Sequence, residues 1–184
     1  LSAAVSSVVS RNLLLIAGFF SLVASVLYWQ WARVERGDVH TLTETGSCAG
    51  CNLRGVNLSG LNLEGVDLRR ADLSNANLSS TRLVRADLWQ ANLNGATLDS
   101  VDLTGANLRG LDLRGRNLRK ANLTDANLEG ANLHNADLKA AVLSNANLSG
   151  ANLNKASLEL AILLDANLDQ ANLWNANLAD ANLS

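Results

Sequence analysis

Two cysteines separated by two residues are the strongest candidates for chemistry in this chain. Cys48 and Cys51 form a C-x-x-C pair, a spacing found in disulfides, thioredoxin-like redox pairs and zinc sites. A redox pair needs a βαβ context, which the surrounding sequence lacks, and a zinc site needs four ligands, of which only His40 is near. We therefore favour a disulfide, or two buried thiols, that closes the first turn of the fold. A disulfide would indicate an oxidising compartment.

The other titratable residues offer no catalytic arrangement. His134 stands alone at an outward position, and no nucleophile, base and orienting group recur at a defined spacing. The sequence also contains no glycine-rich phosphate loop and no cluster of metal ligands. It therefore predicts a protein that is not an enzyme and that needs no cofactor or metal.

A strict period of five residues organises the chain from the cysteines to its last residue. Leucine occupies every fifth position from Leu53 to Leu183, usually with Ala two residues earlier and Asn or Asp immediately before it. On a helix, a step of five would rotate each leucine by about 140°, and on a strand an odd step would alternate the faces. Only a short extended piece followed by a turn fits, with Leu and Ala pointing inward and the other three positions outward.

This A-(N/D)-L-x-x pattern resembles the pentapeptide-repeat family over roughly the last three-quarters of the chain. The resemblance implies an all-β solenoid, a right-handed quadrilateral β-helix with about 20 residues per coil and coils stacked at ~4.8 Å. We expect four segments: an N-terminal tail (1–11), a transmembrane helix (12–32), a connector and entry cap (33–47), and the β-helix (48–184).

The segment from Asn12 to Ala32 is uncharged and, as a helix, would be long enough to cross the hydrocarbon core of a bilayer. Three aromatic residues cluster at its end, as at a membrane interface: Tyr28, Trp29 and Trp31. A cleavable signal peptide is the alternative, but no A-x-A-like site stands near Trp31. The sequence therefore predicts a single-pass membrane protein.

Orientation and partners follow less directly from the residues. One arginine before the segment and two after it, Arg33 and Arg36, place the repeats in the cytoplasm, whereas a disulfide would place them in a thylakoid lumen or periplasm, which we favour. With a hydrophobic segment followed by C-x-x-C before its repeats, this chain resembles the cyanobacterial and thylakoid-lumen members of the family. This resemblance implies a structural or interaction protein that docks on, or helps assemble, a membrane complex, with a photosynthetic complex as one candidate.

Charge argues against a nucleic-acid partner and weakens the alternative function. The chain carries 15 basic and 17 acidic residues, and its repeat region holds about 12 and about 14, a near balance. Arg109, Arg114 and Arg119 fall on successive faces of one coil and form a belt, whereas nucleic-acid binding favours charge on one side. Some family members mimic DNA against topoisomerases with an acidic surface. A regulator of such an enzyme is therefore the alternative.

Departures from the repeat indicate where function or irregularity could lie. Arg116 occupies an inward Ala position, so we expect a bulge there or a side chain that reaches solvent or an acidic residue. The pair Thr81 and Arg82 predicts a second irregularity. At the last coil we expect Leu183 to be covered by a partner, a second copy or further residues, which would allow end-to-end association.

Four apolar residues at outward positions are the candidate docking patch. With four repeats in each coil, Val142 lies beside Ile162, and Leu160 and Leu164 flank them on the same corner and face. A cluster of exposed apolar residues often marks a contact site, whereas isolated ones do not. The exposed Trp89 and Trp174 stand on other faces and are weaker candidates.

Overall fold

The computed structural model describes residues 39–184. The tail 1–11, the segment 12–32 with its aromatic residues, and residues 33–38 of the connector lie outside the described residues. The predictions made for them therefore stay predictions.

The described chain winds into coils of four repeats each, which stack along one axis. Parallel bridges join each repeat to the equivalent repeat of the next coil, as between Asn52 and Asp72. The backbone N–H of Leu73 donates to the Asn92 carbonyl (2.9 Å), and the Asn92 N–H donates to the Ala71 carbonyl (2.9 Å). Each repeat contributes a single bridge, so the extended pieces of residues 39–184 are shorter than ordinary strands. The predicted quadrilateral β-helix is confirmed.

Four flat faces make up each coil, and we number them by their first leucine. Face 1 begins at Leu53, face 2 at Leu58, face 3 at Leu63 and face 4 at Leu68, and each face recurs once in every coil.

A tight turn at every corner produces the four-sided shape. In the turn that begins at Leu68, the Ala71 N–H donates to the Leu68 carbonyl (3.1 Å), and Arg70 has φ of 60°. A positive φ at the third residue is the mark of a type II turn, which favours Gly or Asn there. This explains the glycines at the corners, and it means that each larger residue at a corner carries a conformational cost.

The core consists of stacked leucines and, at the corners, alanines. Leucines such as Leu73 and Leu133 are fully buried, as are alanines such as Ala71 and Ala131. Burial of one leucine side chain contributes about 1.5–3 kcal/mol. Alanine fits at the corner because successive corners lie one strand spacing apart and leave little volume for a side chain.

The residue before each leucine stabilises its own turn. The Asp72 carboxylate accepts a hydrogen bond from the Ser74 N–H (3.0 Å), and it also accepts one from the Asn92 side-chain amide of the next coil (3.0 Å). Such local bonds explain why Asn and Asp recur here.

The entry to the β-helix is a short helix followed by a disulfide. Helix α1 spans residues 39–45, and its Leu42 side chain is buried in the core. Gly46 ends the helix in the left-handed region (φ 65°), and its N–H donates to the Leu42 carbonyl (3.2 Å). Within residues 39–184, no helix is long and apolar enough to span a membrane.

The predicted irregularity at Thr81 and Arg82 is wrong. Thr81 is buried, and its hydroxyl donates to the Leu58 carbonyl (2.9 Å), which satisfies this polar group at a core position. The Arg82 backbone bridges regularly to Asn62 below and to Asp102 above. Its side chain lies at an outward position and pairs with Glu64. The ladder is therefore regular at Thr81 and Arg82.

Candidate functional site

The coil register brings the four predicted patch residues together on face 3 and its leading corner. We call Val142, Leu160, Ile162 and Leu164 the face-3 patch. Val142 and Ile162 are bridged directly, and the Leu143 N–H donates to the Ile162 carbonyl (2.6 Å). Leu160 is 48% exposed and Ile162 37%, while Val142 and Leu164 are half-buried. The patch is therefore contiguous, with Leu160 and Ile162 as its most exposed members.

Leu160 occupies a corner position that does not suit leucine. Its φ of 60° lies in the left-handed region, where a bulky side chain costs about 1–2 kcal/mol. The corner below it holds Ala140, and the corner above it holds Asp180. Leu160 is not part of the buried core, because about half of its surface is exposed.

Val142 and Ile162 also replace the residue type that stabilises the turn. In the described chain, most residues before the leucine accept a hydrogen bond from the backbone N–H two residues later, as Asn147 does from Ser149 (3.1 Å). Valine and isoleucine carry no acceptor, so this bond is lost twice within the face-3 patch. Each such bond contributes about 0.5–1.5 kcal/mol. The patch therefore destabilises the β-helix in addition to exposing apolar surface.

Charged residues border the face-3 patch. Lys139 and Glu159 pair on the adjoining face 2, each about one-third exposed. Asp165 stands at the next corner of face 3. The patch is thus an apolar island with a polar rim, which is the usual anatomy of a protein contact site.

The two cysteines lie at the opposite end of the rod. Cys48 and Cys51 form a disulfide with Cα atoms 5.2 Å apart, and the Cys51 N–H donates to the Cys48 carbonyl (3.1 Å). Cys48 is buried and Cys51 half-buried. The disulfide closes the first turn of the first coil and thereby fixes the entry of the chain.

The basic belt is largely neutralised by neighbouring carboxylates. Arg109 pairs with Glu129 (3.0 Å) and Arg119 with Asp137 (3.2 Å). Arg114 pairs with Asp112 (2.6 Å), and this hydrogen bond lowers the pKa of the Asp112 carboxyl. On the opposite side of the rod, hydrogen bonds from Arg82 and then Arg85 lower the pKa of Glu64. Each of the three belt arginines therefore has a carboxylate partner.

A shallow groove on face 4 was missed by the sequence analysis. The groove has a volume of about 390 Å³. It is lined by Glu129, Gly130, Ser149, Gly150, Asp169 and Gln170. The available signal was a column of corner glycines in successive coils, Gly110, Gly130 and Gly150, which leave the corner without side chains. Residues 39–184 contain no group of three His, Cys, Asp or Glu side chains that could hold a metal.

Comparisons with known proteins agree with this geometry. The family model for pentapeptide repeats matches eight copies, over residues 47–83, 81–119, 106–145, 121–159 and 161–184. The chain belongs to the pentapeptide repeat family. Members form right-handed quadrilateral β-helices and are generally non-enzymatic structural or interaction proteins. A comparison with curated protein sequences gave no match.

Solved structures of other family members are similar to this chain. HetL, a pentapeptide repeat protein involved in heterocyst differentiation regulation from the cyanobacterium Nostoc sp. strain PCC 7120, is 36% identical over 73% of this chain and 71% of HetL, with a TM-score of 0.50. Rfr23 from the cyanobacterium Cyanothece 51142 is 31% identical over 80% and 98%, with a TM-score of 0.38. A protein from the Arabidopsis thaliana thylakoid lumen is 30% identical over 61% and 66%, with a TM-score of 0.26.

Proposed function

We propose that this protein is a membrane-anchored interaction protein whose β-helix docks through the face-3 patch on a protein of a larger membrane complex. The observation that carries the proposal is Leu160, an exposed leucine at a strained corner. The left-handed φ itself recurs at other non-glycine corners such as Gln90 and Ala140, so what sets Leu160 apart is a large apolar side chain that is 48% exposed there. Folding alone would favour Gly or Asn at this corner.

The other parts of the patch support the same function. Ile162 and Val142 stand where Asn would stabilise the turn, and Ile162 exposes apolar surface as well. Three costs on adjacent coils point to a shared purpose, because each could be removed by returning to the repeat consensus. Protein interfaces commonly have an apolar centre, which becomes buried on binding, surrounded by a polar rim. The face-3 patch and its charged neighbours have this arrangement.

The membrane anchor and the compartment rest on the sequence and on the disulfide. The uncharged segment 12–32 is long enough to cross a bilayer. The Cys48–Cys51 disulfide favours an oxidising compartment, so we place the β-helix in a thylakoid lumen or periplasm. A photosynthetic complex is one candidate partner in the first of these.

A regulator of an enzyme is the second candidate function. The similarity to HetL, which is involved in the regulation of heterocyst differentiation, favours it. Such a protein would use the face-3 patch on a cytosolic partner. A topoisomerase is a less suitable target, since the belt arginines are paired with carboxylates and the chain's 15 basic and 17 acidic residues nearly balance.

Co-purification with a matched pair of variants tests the docking surface. The full chain, carrying an affinity tag, is recovered from detergent-solubilised membranes of cells that express it naturally. Ile162→Asn restores the consensus residue, so we expect a folded β-helix that no longer recovers the partner. Trp174→Ser removes an exposed aromatic residue on face 1 and should recover it as the native chain does. Equal recovery with Ile162→Asn would refute the docking surface.

Fractionation tests the anchor separately. Deletion of residues 1–32 should move the protein from the carbonate-resistant membrane fraction to the supernatant, with the β-helix still folded. A partner that is recovered from the supernatant by the undeleted chain would favour the enzyme regulator instead.

A further inference from the structure

The hydrogen-bond ladder between coils is broken at one place in the β-helix. Between residues 90–98 and residues 109–117, the inter-coil backbone bonds found at all other levels of residues 46–182 are missing. Four N–H groups of the lower coil and two of the upper coil lack their expected acceptors there. They belong to Gln90, Leu93, Gly95, Leu98, Asp112 and Asn117.

The break affects two of the four faces. The bridges expected between Asn92 and Asp112 and between Thr97 and Asn117 do not form, within a chain that otherwise bridges regularly from Ser47 to Asn182. Faces 3 and 4 are continuous past the same level: the Leu103 N–H donates to the Asn122 carbonyl (2.7 Å). We call the gap on faces 1 and 2 the seam.

The turns on both sides of the seam are intact, so the coils themselves are regular. The Ala96 N–H donates to the Leu93 carbonyl (3.1 Å), and the Arg116 N–H donates to the Leu113 carbonyl (3.1 Å). The upper coil is also bonded normally to the coil above it, as by the Gly115 N–H to the His134 carbonyl (2.9 Å). Only the backbone hydrogen bonds between the two coils on faces 1 and 2 are lost.

Two large residues at successive corners explain why the coils separate here. Leu111 and Arg116 occupy the two corner positions that bound face 1 of the upper coil, where most coils have alanine. Each lies over an alanine, Ala91 or Ala96, and these two are 8% and 5% exposed, against 0–1% for the other buried alanines. The interior is close-packed and cannot absorb the extra volume, so the backbones move apart.

Arg116 also shows how a cation is accommodated at an inward position. Its side chain is half-exposed at the corner, and its Nε donates to the Arg114 carbonyl (3.1 Å). That carbonyl is the acceptor that Gly95 would use in a regular ladder. The Arg116 side chain thus satisfies one of the groups that the separation leaves without a partner.

We propose that the seam is a joint built into the β-helix, held open by Leu111 and Arg116 and hinged along faces 3 and 4. Leucines such as Leu93 and Leu113 remain buried across it, so the core keeps the two blocks together while the backbone ladder does not. The disulfide lies in the block below the joint, and the face-3 patch lies in the block above. Opening and closing of the seam tilts the upper block relative to the lower one.

Amide hydrogen exchange of the native protein tests the joint directly. The seam N–H groups should exchange at least ~10-fold faster than the bonded groups one coil later, because they exchange without breaking a ladder bond. The double variant Leu111→Ala/Arg116→Ala restores the consensus and should return them to the slower rate. Val101→Ala is the matched control: Val101 is also a large corner residue, but the Asp102 N–H still donates to the Thr81 carbonyl (2.9 Å). Val101→Ala should leave the exchange rates of the seam N–H groups unchanged.

Two outcomes would overturn the proposal. Equal exchange at the seam and one coil later would show that no joint exists. Fast exchange that persists in the double variant would show that Leu111 and Arg116 do not hold it open.

A pair of spin-label distances measures the tilt itself. The pair Arg54→Cys and His134→Cys on face 1, and the pair Val84→Cys and Leu164→Cys on face 3, each span four coils across the level of the seam. Labelling without reductant leaves the native disulfide intact. The face-1 pair should give a broader distance distribution than the face-3 pair, and the double variant should make them equal. Equal widths in the native protein would contradict hinging on faces 3 and 4.

Discussion

The face-3 patch and the seam are both departures from the same repeat, yet they have opposite structural consequences. In the face-3 patch, four outward positions are changed and the ladder is unbroken, as the Ile162 N–H still donates to the Ala141 carbonyl (2.9 Å). At the seam, two inward positions are changed and six ladder bonds are lost. A substitution at an outward position loses only local hydrogen bonds or strains the turn, whereas a large residue at an inward position changes the spacing of the coils. This difference is why the solenoid can vary its surface freely while its core stays uniform.

A charge placed at an inward position should have the largest effect. Leu133 is fully buried, so Leu133→Asp would leave an unpaired carboxylate in the core and should destabilise the β-helix by more than about 4 kcal/mol. The neighbouring outward change His134→Asp should alter stability by less than about 0.5 kcal/mol. Thermal unfolding followed by circular dichroism compares the two. Similar melting temperatures would contradict the division into inward and outward positions.

Truncation of a core leucine should be unusually mild at the seam. Leu→Ala in a packed core costs about 2–5 kcal/mol, and we expect this for Leu108→Ala. At Leu111 the same change lets the coils approach, and each ladder bond regained offsets about 0.5–1.5 kcal/mol. Leu111→Ala should therefore cost at least about 2 kcal/mol less than Leu108→Ala. Urea denaturation gives both values, and equal costs would show that Leu111 does not hold the coils apart.

The leucine register is what made the fold predictable from the sequence. A period of five excludes long helices and strands, and the family resemblance supplied the four-sided coil. The face-3 patch could be located because a known coil length places Ile162 directly over Val142. Both predictions combine the leucine register, which is visible in the sequence, with the coil length that the family resemblance implies.

Features that depend on volume or on local geometry could not be predicted in the same way. Arg116 was recognised as unusual because charge is visible in a sequence, but Leu111 is apolar at an inward position and gave no warning. The break depends on the volume of both side chains over two alanines. Helix α1 was also missed, since its two apolar residues at helical spacing, Val39 and Leu42, are too few to indicate a helix in a segment that ends at Gly46.

Consensus changes in the face-3 patch should stabilise the protein by a smaller amount. Leu160→Gly removes a left-handed leucine and should add about 1 kcal/mol to the free energy of unfolding. Ile162→Asn should add about 0.5–1 kcal/mol by restoring the acceptor for the Leu164 N–H. The reverse change at a regular position, Asn147→Ile, should lower the free energy of unfolding, because it removes the acceptor for the Ser149 N–H. Loss of stability in Leu160→Gly would mean that Leu160 is there for the fold and not for a partner.

The smallest expected effect is a dependence of stability on acid pH that arises from the lower half of the rod. Hydrogen bonds from Arg82 and Arg85 lower the pKa of Glu64, and a hydrogen bond from Arg69 lowers the pKa of Asp67. A carboxyl whose pKa is lower in the folded state stabilises that state above its unfolded pKa, about 4, and the stabilisation is lost as the pH falls through the folded value. The melting temperature should therefore be flat from about pH 7 to 5 and fall below about pH 4.

Glu64→Gln identifies how much of this acid dependence belongs to the arginine cluster. The variant removes the titrating group, so its melting temperature should fall less steeply below about pH 4 than that of the native protein. Asp180→Asn is the control, because Asp180 makes no ion pair within residues 39–184. Salt at about 1 M should reduce the difference, since these pairs lie at the surface and are screened. Identical acid profiles for Glu64→Gln and the native protein would place the acid sensitivity elsewhere, with the carboxylates around the seam, beginning with Asp112, as the next group to substitute.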